Sequence, residues 1–281
     1  MKSINIAVAC GGTGGHIFPG LAVAQTLQDR GHNVTLWLAG KDIEEEAVAD
    51  WKGRIITVPS EGFQYGISFR SLLTLWKIIR SIFIAIPLMK KQSPDVVLAM
   101  GSYASFAPVI SAHLLSIPYV IHEANAVPGR VVSVLSKNAA AVAISFEKTR
   151  SFINHKRIIH TGMPLRLGLY HNLNNYISAD SNLFTILVLG GSRGADFLNK
   201  EIPKAFTKIK TDNKLFKIIH IFGFRPIDEI KEAYNKLGIT NEVYQFVHNI
   251  EDYYKMADLV ICRSGASTCA ELCLFATPAL L

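Results

Sequence analysis

The chain has 281 residues, of which 49% are hydrophobic, and its formal net charge at pH 7 is +7. This length and apolar content are enough for two domains with their own cores. The positive charge favours anionic partners, such as nucleotides, polyanions or an anionic membrane surface. The four cysteines form no C-x-x-C pair, which argues against a zinc site and favours reduced cytosolic thiols. Residues 1–20 lack the features of a signal peptide.

The first motif is a glycine-rich turn between a predicted strand and a predicted helix. The apolar residues 4–9 predict a buried strand, which is followed by Gly11-Gly-Thr-Gly-Gly-His16 and then by a helical pattern. This order directs backbone N–H groups and the positive end of a helix at an anion. The turn does not fit the dinucleotide motif G-x-G-x-x-G, and it lacks the Gly-Lys-Ser/Thr of a Walker loop.

His16 stands where this strand opens into the helix. A lone histidine is most often a packed or capping residue, but open parallel sheets bind their ligands at this position. We therefore expect His16 to act as a general base on a hydroxyl group, because the unperturbed pKa of histidine lies near the working pH.

Strands and helices alternate along the rest of the chain, which predicts parallel βαβ units. Further strands are predicted at 34–38, 54–58, 95–100, 118–122 and 140–145, and, later in the chain, at 184–189, 217–222, 243–246 and 258–262. Small or polar turns follow strands at 100–109 and 122–130, and we expect them on the same sheet edge as the first turn.

The polar segment 163–183 is typical of a linker, so we predict domains at 1–162 and 184–281. Two Rossmann-like halves that face each other would hold a ligand in the cleft between them. Only about 100 residues follow the linker, which is at the low end for such a domain. We therefore expect the second domain to be incomplete, as in a fragment or a truncated reading frame.

Residues 67–91 are apolar and basic, and three interpretations of them remain open. A membrane-spanning helix needs about 20 apolar residues, and charged residues interrupt this run. A buried crossover helix is the second interpretation. The third is a helix in the lipid interface, with Trp76 and Phe83 facing the lipid. Its basic residues near the head groups would be Arg70, Lys77, Arg80, Lys90 and Lys91.

Five motifs in order along the whole chain resemble the MurG family of bacterial glycosyltransferases. They are Gly11-Gly-Thr-Gly-Gly-His16, His122-Glu-x-Asn-x-x-Pro-Gly129, Gly162-x-Pro-x-Arg166, Gly190-Gly-Ser-x-Gly-Ala195 and Cys262-Arg-Ser-Gly-Ala266. The resemblance implies an α/β protein of the GT-B fold, in which two Rossmann-like domains present parallel sheets across a cleft. It also implies a hexosyltransferase that needs no cofactor and no bound metal.

The reaction implied by this resemblance is the transfer of GlcNAc from UDP-GlcNAc to the C4 hydroxyl of MurNAc in lipid I, with inversion at the anomeric carbon. The product is lipid II, a precursor in peptidoglycan synthesis, so the family contributes to cell-wall biogenesis, cell shape and cell division. The implied location is peripheral, on the cytoplasmic face of the bacterial inner membrane. Residues 67–91 would contact that anionic surface.

The resemblance also implies roles for individual residues. His16 would be the catalytic base, and Thr13, Gly14 and Gly15 would shape the turn beside the sugar and diphosphate. Acceptor-side candidates are Gly101, Ser102 and Tyr103. The UDP-GlcNAc contacts would be Asn125 for the sugar, Arg166 for the leaving diphosphate, Ser192 for the nucleotide, Val247 for uracil through its backbone, Ala266, Ser267 and Thr268 for phosphate, and Glu271 for ribose.

Other functions stay open at this point. A truncated chain would be a weakly active or inactive protein that still binds a nucleotide sugar or a membrane. A GT-B transferase with another lipid acceptor fits the same motifs less well. A nicotinamide dehydrogenase is disfavoured because G-x-G-x-x-G is incomplete. Nucleic acid is not an expected partner, since no base-reading motif accompanies the positive charge.

Overall fold

The computed structural model describes residues 2–62, 69–171, 183–191, 194–208, 216–223, 228–247 and 249–281. The chain divides into two compact units, Met1–Arg166 and Leu167–Leu281. This division lies within the segment 163–183 that the sequence predicts as a linker, and residues 172–182 of that segment are outside the described ranges. Each unit is an α/β unit built on one parallel sheet.

The first unit contains seven parallel strands in the order β3-β2-β1-β4-β5-β6-β7. The strands are β1 (Asn5–Ala9), β2 (Asn33–Leu38), β3 (Arg54–Thr57), β4 (Val96–Ala99), β5 (Tyr119–Glu123), β6 (Ala141–Ile144) and β7 (Ile158–His160). The helices are α1 (Gly14–Asp29), α2 (Asp42–Ala47), α3 (Phe69–Gln92), α4 (Phe106–Leu114) and α5 (Arg130–Leu135). Short 3-10 helices lie at Tyr103–Ser105, Ser136–Asn138 and Glu147–Phe152. The strand order reverses between β1 and β4, which is where open α/β sheets form their ligand crevice.

The central strand β1 is apolar from Ile6 to Ala9 because both faces of its sheet are covered. Ala7 and Ala9 belong to one buried cluster, while Ile6 and Val8 belong to a cluster on the other face. Helix α1 packs very closely against the end of β1, since a Cβ atom at Gly20 would lie 2.2 Å from the Cβ of Cys10. Only glycine at position 20 therefore allows α1 to pack this closely against Cys10.

The second unit contains five parallel strands in the order β10-β9-β8-β11-β12. They are β8 (Phe184–Leu189), β9 (Phe216–Ile221), β10 (Thr240–Tyr244), β11 (Leu259–Cys262) and β12 (Ala279–Leu280). The helices are α6 (Leu167–His171), α7 (Asp196–Lys208), α8 (Asp228–Lys236), α9 (Ile250–Met256) and α10 (Ala266–Phe275). Val188, Ile218 and Phe222 are fully buried in its core. The order reverses between β8 and β11, so this sheet also has a switch point.

The predicted strand at 243–246 is wrong in its bounds. Strand β10 covers Thr240–Tyr244, because its pairing with Lys217–Ile221 of β9, and not an apolar run, decides where it begins and ends. Helices α2, α4 and α5 were not predicted from the sequence. They are short, and α2 and α5 have six residues each, so their pattern is too brief to identify a helix.

Helix α3 combines a buried face and an exposed apolar face. Ala85 and Met89 are fully buried in the core of the first unit, and α3 packs against α4. The opposite face exposes large apolar side chains at positions typical of one helical stripe, which are Leu72, Trp76, Ile79 and Phe83. Within the described ranges, this helix is the one that is long and apolar enough to cross a membrane, over Leu72–Gln92, and 22% of its apolar window is buried in the protein.

Candidate functional site

The three predicted turns of the first unit lie together at the carboxyl ends of β1, β4 and β5, as expected. The Ser102 hydroxyl donates a hydrogen bond of 2.7 Å to the carbonyl oxygen of Gly11. Gly101 has a φ of +81°, and a Cβ atom there would lie 2.9 Å from the carbonyl oxygen of His122. The second turn therefore contacts both the first turn and the strand that leads into the third.

His16 lies in the first turn of α1. The backbone N–H groups of His16 and Ile17 donate to the carbonyl oxygen of Thr13 at 2.9 and 3.0 Å. The Thr13 hydroxyl lies 2.8 Å from Nδ1 of His16, so the side chain of Thr13 orients the ring. If the protonated nitrogen is Nδ1, it donates to Thr13 Oγ1 and leaves the Nε2 lone pair free to accept a proton.

Partial burial of the imidazole lowers the pKa of His16 from 6.5 to about 4. A neutral imidazole is the form that can act as a base, and a pKa this low keeps the ring neutral at physiological pH. The low pKa keeps the ring in its proton-accepting form but also makes it a weaker base than a free histidine, so the expected pKa near the working pH is not found.

The glycine turn presents backbone donors at the start of α1. Gly12 has a φ of +104°, and a Cβ atom there would lie 3.0 Å from the ring of Tyr103. Helix α1 begins at Gly14, and Gly15 is exposed. The first N–H groups of a helix have no acceptor within the helix, so the Gly14 and Gly15 amides lie where an anion could bind, and their contact with the sugar and diphosphate stays a prediction.

Two of the acceptor-side candidates contact the glycine turn itself. The hydroxyl of Ser102 is buried against Gly11, and the hydroxyl of Tyr103 lies 3.4 Å from the carbonyl oxygen of Gly12. The Ser102 side chain therefore stabilises the glycine turn through its hydrogen bond to Gly11. A contact of Gly101, Ser102 or Tyr103 with the acceptor stays a prediction.

The third turn is organised by Glu123, for which the sequence predicted no role. Its carboxylate is 2% exposed and accepts hydrogen bonds from the backbone N–H of Asn125 at 2.8 Å, from Asn125 Nδ2 at 3.0 Å and from the N–H of Gly129 at 2.8 Å. Burial raises the pKa of Glu123, while these hydrogen bonds act in the opposite direction. The exposed amide of Asn125 is thereby oriented, and its oxygen keeps the capacity to bind a sugar hydroxyl.

His122 is a second histidine at this edge that the sequence did not single out as a site residue. Its imidazole is 3% exposed, its Nε2 lies 3.2 Å from the Ser145 hydroxyl, and burial lowers its pKa to about 4. Proximity to His16 adds a smaller lowering effect. Nδ1 of His122 is buried and has no hydrogen-bond partner within the described ranges. The sequence signal that could have identified His122 is its position directly before Glu123, at the end of the buried strand β5.

Arg166 is the last residue of the first unit. Its guanidinium lies over the ring of Phe18 in α1, 4.8 Å from the ring centroid. This contact holds a permanent positive charge beside the amino-terminal part of α1. The predicted pairing of Arg166 with a diphosphate is compatible with this placement and stays a prediction.

The second unit has a corresponding glycine turn between β8 and α7. Gly194 has a φ of +73°, and a Cβ atom there would lie 2.4 Å from the carbonyl oxygen of Phe222. That same oxygen accepts a hydrogen bond of 3.1 Å from Asn199 Nδ2, and His220 Nε2 lies 3.1 Å from Asn199 Oδ1. The buried polar contacts tie α7 to the end of β9. Ser192, the predicted nucleotide contact in this turn, lies outside the described residues.

Helix α10 begins at the carboxyl end of β11, next to the switch point of the second sheet. Ala266, Ser267 and Thr268 form its first turn, with Gly265 in an extended conformation before it. The hydroxyl of Ser267 is buried and lacks a hydrogen-bond partner among the described parts of the chain. Free amides at a helix start can bind phosphate, and the contact of Ala266, Ser267 and Thr268 with phosphate stays a prediction.

Glu271 lies one turn further along α10. Its carboxylate accepts a hydrogen bond of 2.9 Å from the hydroxyl of Tyr254, and the Tyr254 ring stacks on Phe275 at 5.2 Å. Tyr254, which the sequence did not identify, therefore orients the predicted ribose-binding acid. Val247 follows β10 at the carboxyl edge of the same sheet. Groups of three or more metal-ligating side chains are absent from the described ranges.

Comparison with known proteins agrees with this arrangement. Residues 6–144 match the glycosyltransferase family 28 N-terminal domain, and residues 185–281 match the glycosyltransferase family 28 C-terminal domain. Two parallel-sheet α/β domains with these matches define a hexosyltransferase of the GT-B class.

Individual relatives identify the family within this class of glycosyltransferases. The chain is 34% identical, over 96% of its length and 70% of the relative's, to the UDP-N-acetylglucosamine–N-acetylmuramyl-(pentapeptide) pyrophosphoryl-undecaprenol N-acetylglucosamine transferase of Myxococcus xanthus. It is 36% identical to the enzyme of the same description from Psychromonas ingrahamii, over 98% of this chain and 76% of that one. The crystal structure of Acinetobacter baumannii MurG is 30% identical and aligns with 99% of this chain and 78% of that chain at a TM-score of 0.71. The chain belongs to the MurG family.

Proposed function

We propose that this protein transfers GlcNAc from UDP-GlcNAc to the C4 hydroxyl of MurNAc in lipid I and so forms lipid II for peptidoglycan synthesis. The observation that carries the proposal is the imidazole of His16, which Thr13 orients at the carboxyl edge of the first sheet and whose neutral form is favoured by burial. It occurs in a chain that shares 34–36% of its residues with relatives named for this reaction.

In the proposed step, the C4 oxygen of the acceptor attacks the anomeric carbon of GlcNAc. A bond forms between these atoms while the bond from the anomeric carbon to the β-phosphate oxygen breaks, and attack from the opposite face inverts the configuration. Nε2 of His16 takes the hydroxyl proton, which then passes to solvent. UDP leaves with an added negative charge, which Arg166 and the amide groups at helix starts would stabilise. That the sugar lies between the two units stays a prediction.

The test is release of UDP from UDP-GlcNAc in the presence of a lipid I analogue, with lipid II identified by mass. We expect release that depends on the acceptor. The second candidate function, a nucleotide-sugar binder without turnover, predicts that UDP-GlcNAc binds while no UDP appears. Acceptor-dependent UDP release with a different lipid-linked sugar, and none with lipid I, would contradict the choice of acceptor.

We further propose that the protein is peripheral on the cytoplasmic face of the bacterial inner membrane, where loss of lipid II supply would affect cell shape and division. Support comes from the exposed apolar stripe of α3, in which Trp76 is 58% and Phe83 is 71% exposed. Arg80 lies 5.7 Å from the Trp76 ring centroid, and Lys90 and Lys91 lie in the last turn of α3. An apolar stripe with basic neighbours is typical of helices that lie in an anionic lipid interface.

Lys77 contributes less to this surface than the sequence suggests. Its ammonium group lies 2.9 Å from both carboxylate oxygens of Glu61. The pair is about half exposed, so its energy is small, but the carboxylate offsets the charge that an anionic head group would meet. Arg80, Lys90 and Lys91 are therefore the better candidates for head-group contacts.

Replacement of Arg80, Lys90 and Lys91 by glutamine should weaken binding to vesicles that contain phosphatidylglycerol by about 100-fold at low salt, since each basic residue near an anionic surface contributes about 1 kcal/mol. Co-sedimentation at low and high salt measures this effect. The matched control exchanges three exposed lysines of the second unit, Lys204, Lys231 and Lys236, for glutamine. Equal loss of binding in both triple variants would mean that net charge, and not α3, determines the attachment.

A further inference from the structure

The glycine turn 11–16, which includes His16, accepts support from the buried carboxylate of Glu44 through a hydrogen bond at Gly12. Glu44 lies in none of the five sequence motifs. Glu44, in α2, is 1% exposed. Its Oε1 accepts hydrogen bonds from the N–H groups of Gly12 at 2.6 Å and Ala39 at 3.2 Å. Its Oε2 accepts from Gly40 at 2.7 Å and Lys41 at 3.1 Å. One side chain therefore joins the turn after β1 to the turn after β2.

Both turns are shaped to receive this carboxylate. A Cβ atom at Gly11 would lie 2.6 Å from Oε1 of Glu44, so only glycine leaves room for it. Gly12 and Gly40 have φ values of +104° and +75°, conformations that favour glycine. All four partners are donors, and a carboxylate offers about four acceptor positions. An amide of the same size would place a donor against two backbone donors.

The contact at Gly12 leads directly to the proposed base. Gly12 precedes Thr13, whose carbonyl oxygen accepts from the N–H groups of His16 and Ile17 and whose hydroxyl contacts His16 Nδ1. The opposite side of the turn is held at Gly11 by Ser102. A displacement of Gly12 therefore changes the start of α1 and the direction of the His16 ring, and misplacement by about 1 Å can reduce a rate about 100-fold.

We propose that Glu44 is a positioning residue for glycosyl transfer, which acts through Gly12 and Thr13 to hold His16 in its reactive orientation. This inference rests on the proposed function, because it assigns Glu44 to the same reaction. The Glu44 carboxylate is enclosed by backbone groups and is too buried to reach a substrate. The role is to set the geometry of the turn, as supporting residues around a reactive group do.

The test compares Glu44→Gln with Glu45→Gln, which changes the next residue in α2, an exposed one. We expect Glu44→Gln to lower kcat by about 10- to 100-fold and to change the KM for UDP-GlcNAc by a smaller factor, because most of the predicted donor contacts lie in the second unit, whereas proton transfer depends on the His16 ring. Glu45→Gln should retain the wild-type kcat. A kcat that is equal in the two variants would overturn the proposal.

A second measurement does not depend on turnover. NMR titration of the His16 ring, assigned with His16→Ala, should give a higher pKa in Glu44→Gln than in the wild type, because a loosened turn admits water to the ring. Glu45→Gln should titrate as the wild type does. If Glu44→Gln is unfolded by circular dichroism, Glu44→Asp, which withdraws the carboxylate by one methylene, is titrated and assayed with the same expectations.

The outcomes separate this inference from the proposed function. If the wild type forms no lipid II but the pKa of His16 still changes in Glu44→Gln, the proposed reaction is refuted. The structural link between Glu44 and His16 is then still supported. Lipid II formation by the wild type, with an unchanged kcat and an unchanged His16 titration in Glu44→Gln, would refute the positioning role alone. A lower melting temperature without either change would also assign Glu44 to stability and refute the proposal.

Discussion

Replacement of His16 by alanine is expected to lower kcat for GlcNAc transfer by about 10²- to 10⁴-fold, the usual contribution of a positioned general base. The KM for UDP-GlcNAc should change little, because removal of the proton acceptor affects the transition state and not donor binding. His113, which is exposed on α4, provides the control, and His113→Ala should retain activity. Activity that is unchanged in His16→Ala would remove the base role.

The pH dependence of the wild type tests the same role without a substitution. Because burial lowers the pKa of His16 to about 4, the imidazole loses its accepting form only when the pH falls toward that value. The acid limb of kcat/KM, which reports the free enzyme, should therefore lie well below pH 6.5. An acid limb at or above pH 6.5 would show that the ring is solvated, or that another group acts as the base.

Replacement of Glu271 by alanine is expected to raise the KM for UDP-GlcNAc by about 10- to 100-fold. Hydrogen bonds from ribose hydroxyls to a carboxylate contribute about 1.5–3 kcal/mol, and each 1.4 kcal/mol corresponds to about tenfold in affinity. Initial-rate measurements at varied UDP-GlcNAc give this value, and calorimetric titration of UDP checks it independently of the acceptor. Glu232→Ala, at an exposed carboxylate on α8, is the control.

Tyr254→Phe should reproduce part of this effect. The substitution removes the hydroxyl that donates to Glu271 at 2.9 Å and keeps the ring that stacks on Phe275. Glu271 then stays in place but loses one of the contacts that orient it, so we expect the KM to rise by several-fold, which corresponds to about 1 kcal/mol. An unchanged affinity for UDP in Glu271→Ala, with the fold intact, would exclude the ribose contact and with it this role for Tyr254.

Local patterns in the sequence were sufficient for much of the fold. Strand β8 at Phe184–Leu189 has the predicted bounds, and strands β2 and β3, at Asn33–Leu38 and Arg54–Thr57, begin and end within one residue of theirs. Each consists of an apolar run or a periodic pattern between turn residues, and both signals act over a few positions. The same reasoning placed the polar turns at one sheet edge, because parallel strands share the direction of their carboxyl ends.

Features that depend on contacts between distant residues required the tertiary structure. Nothing in the run Glu44-Glu45-Glu46 distinguishes the buried acid from its neighbours, since its partner Gly12 is 32 positions away. The hydrogen bond of Ser102 to Gly11, 91 positions apart, likewise stabilises the glycine turn and is not evident from the sequence.

The sequence by itself determined which residue types stand at the sheet edge, because glycines, a histidine and strand periodicity are local properties. The tertiary structure decided how they act. Burial sets the protonation of His16, and hydrogen bonds orient Asn125 and Glu271. Packing of the inner face of α3 leaves its opposite apolar face exposed. Desolvation and hydrogen bonding depend on which groups the fold brings into contact, and that information is distributed over the whole chain.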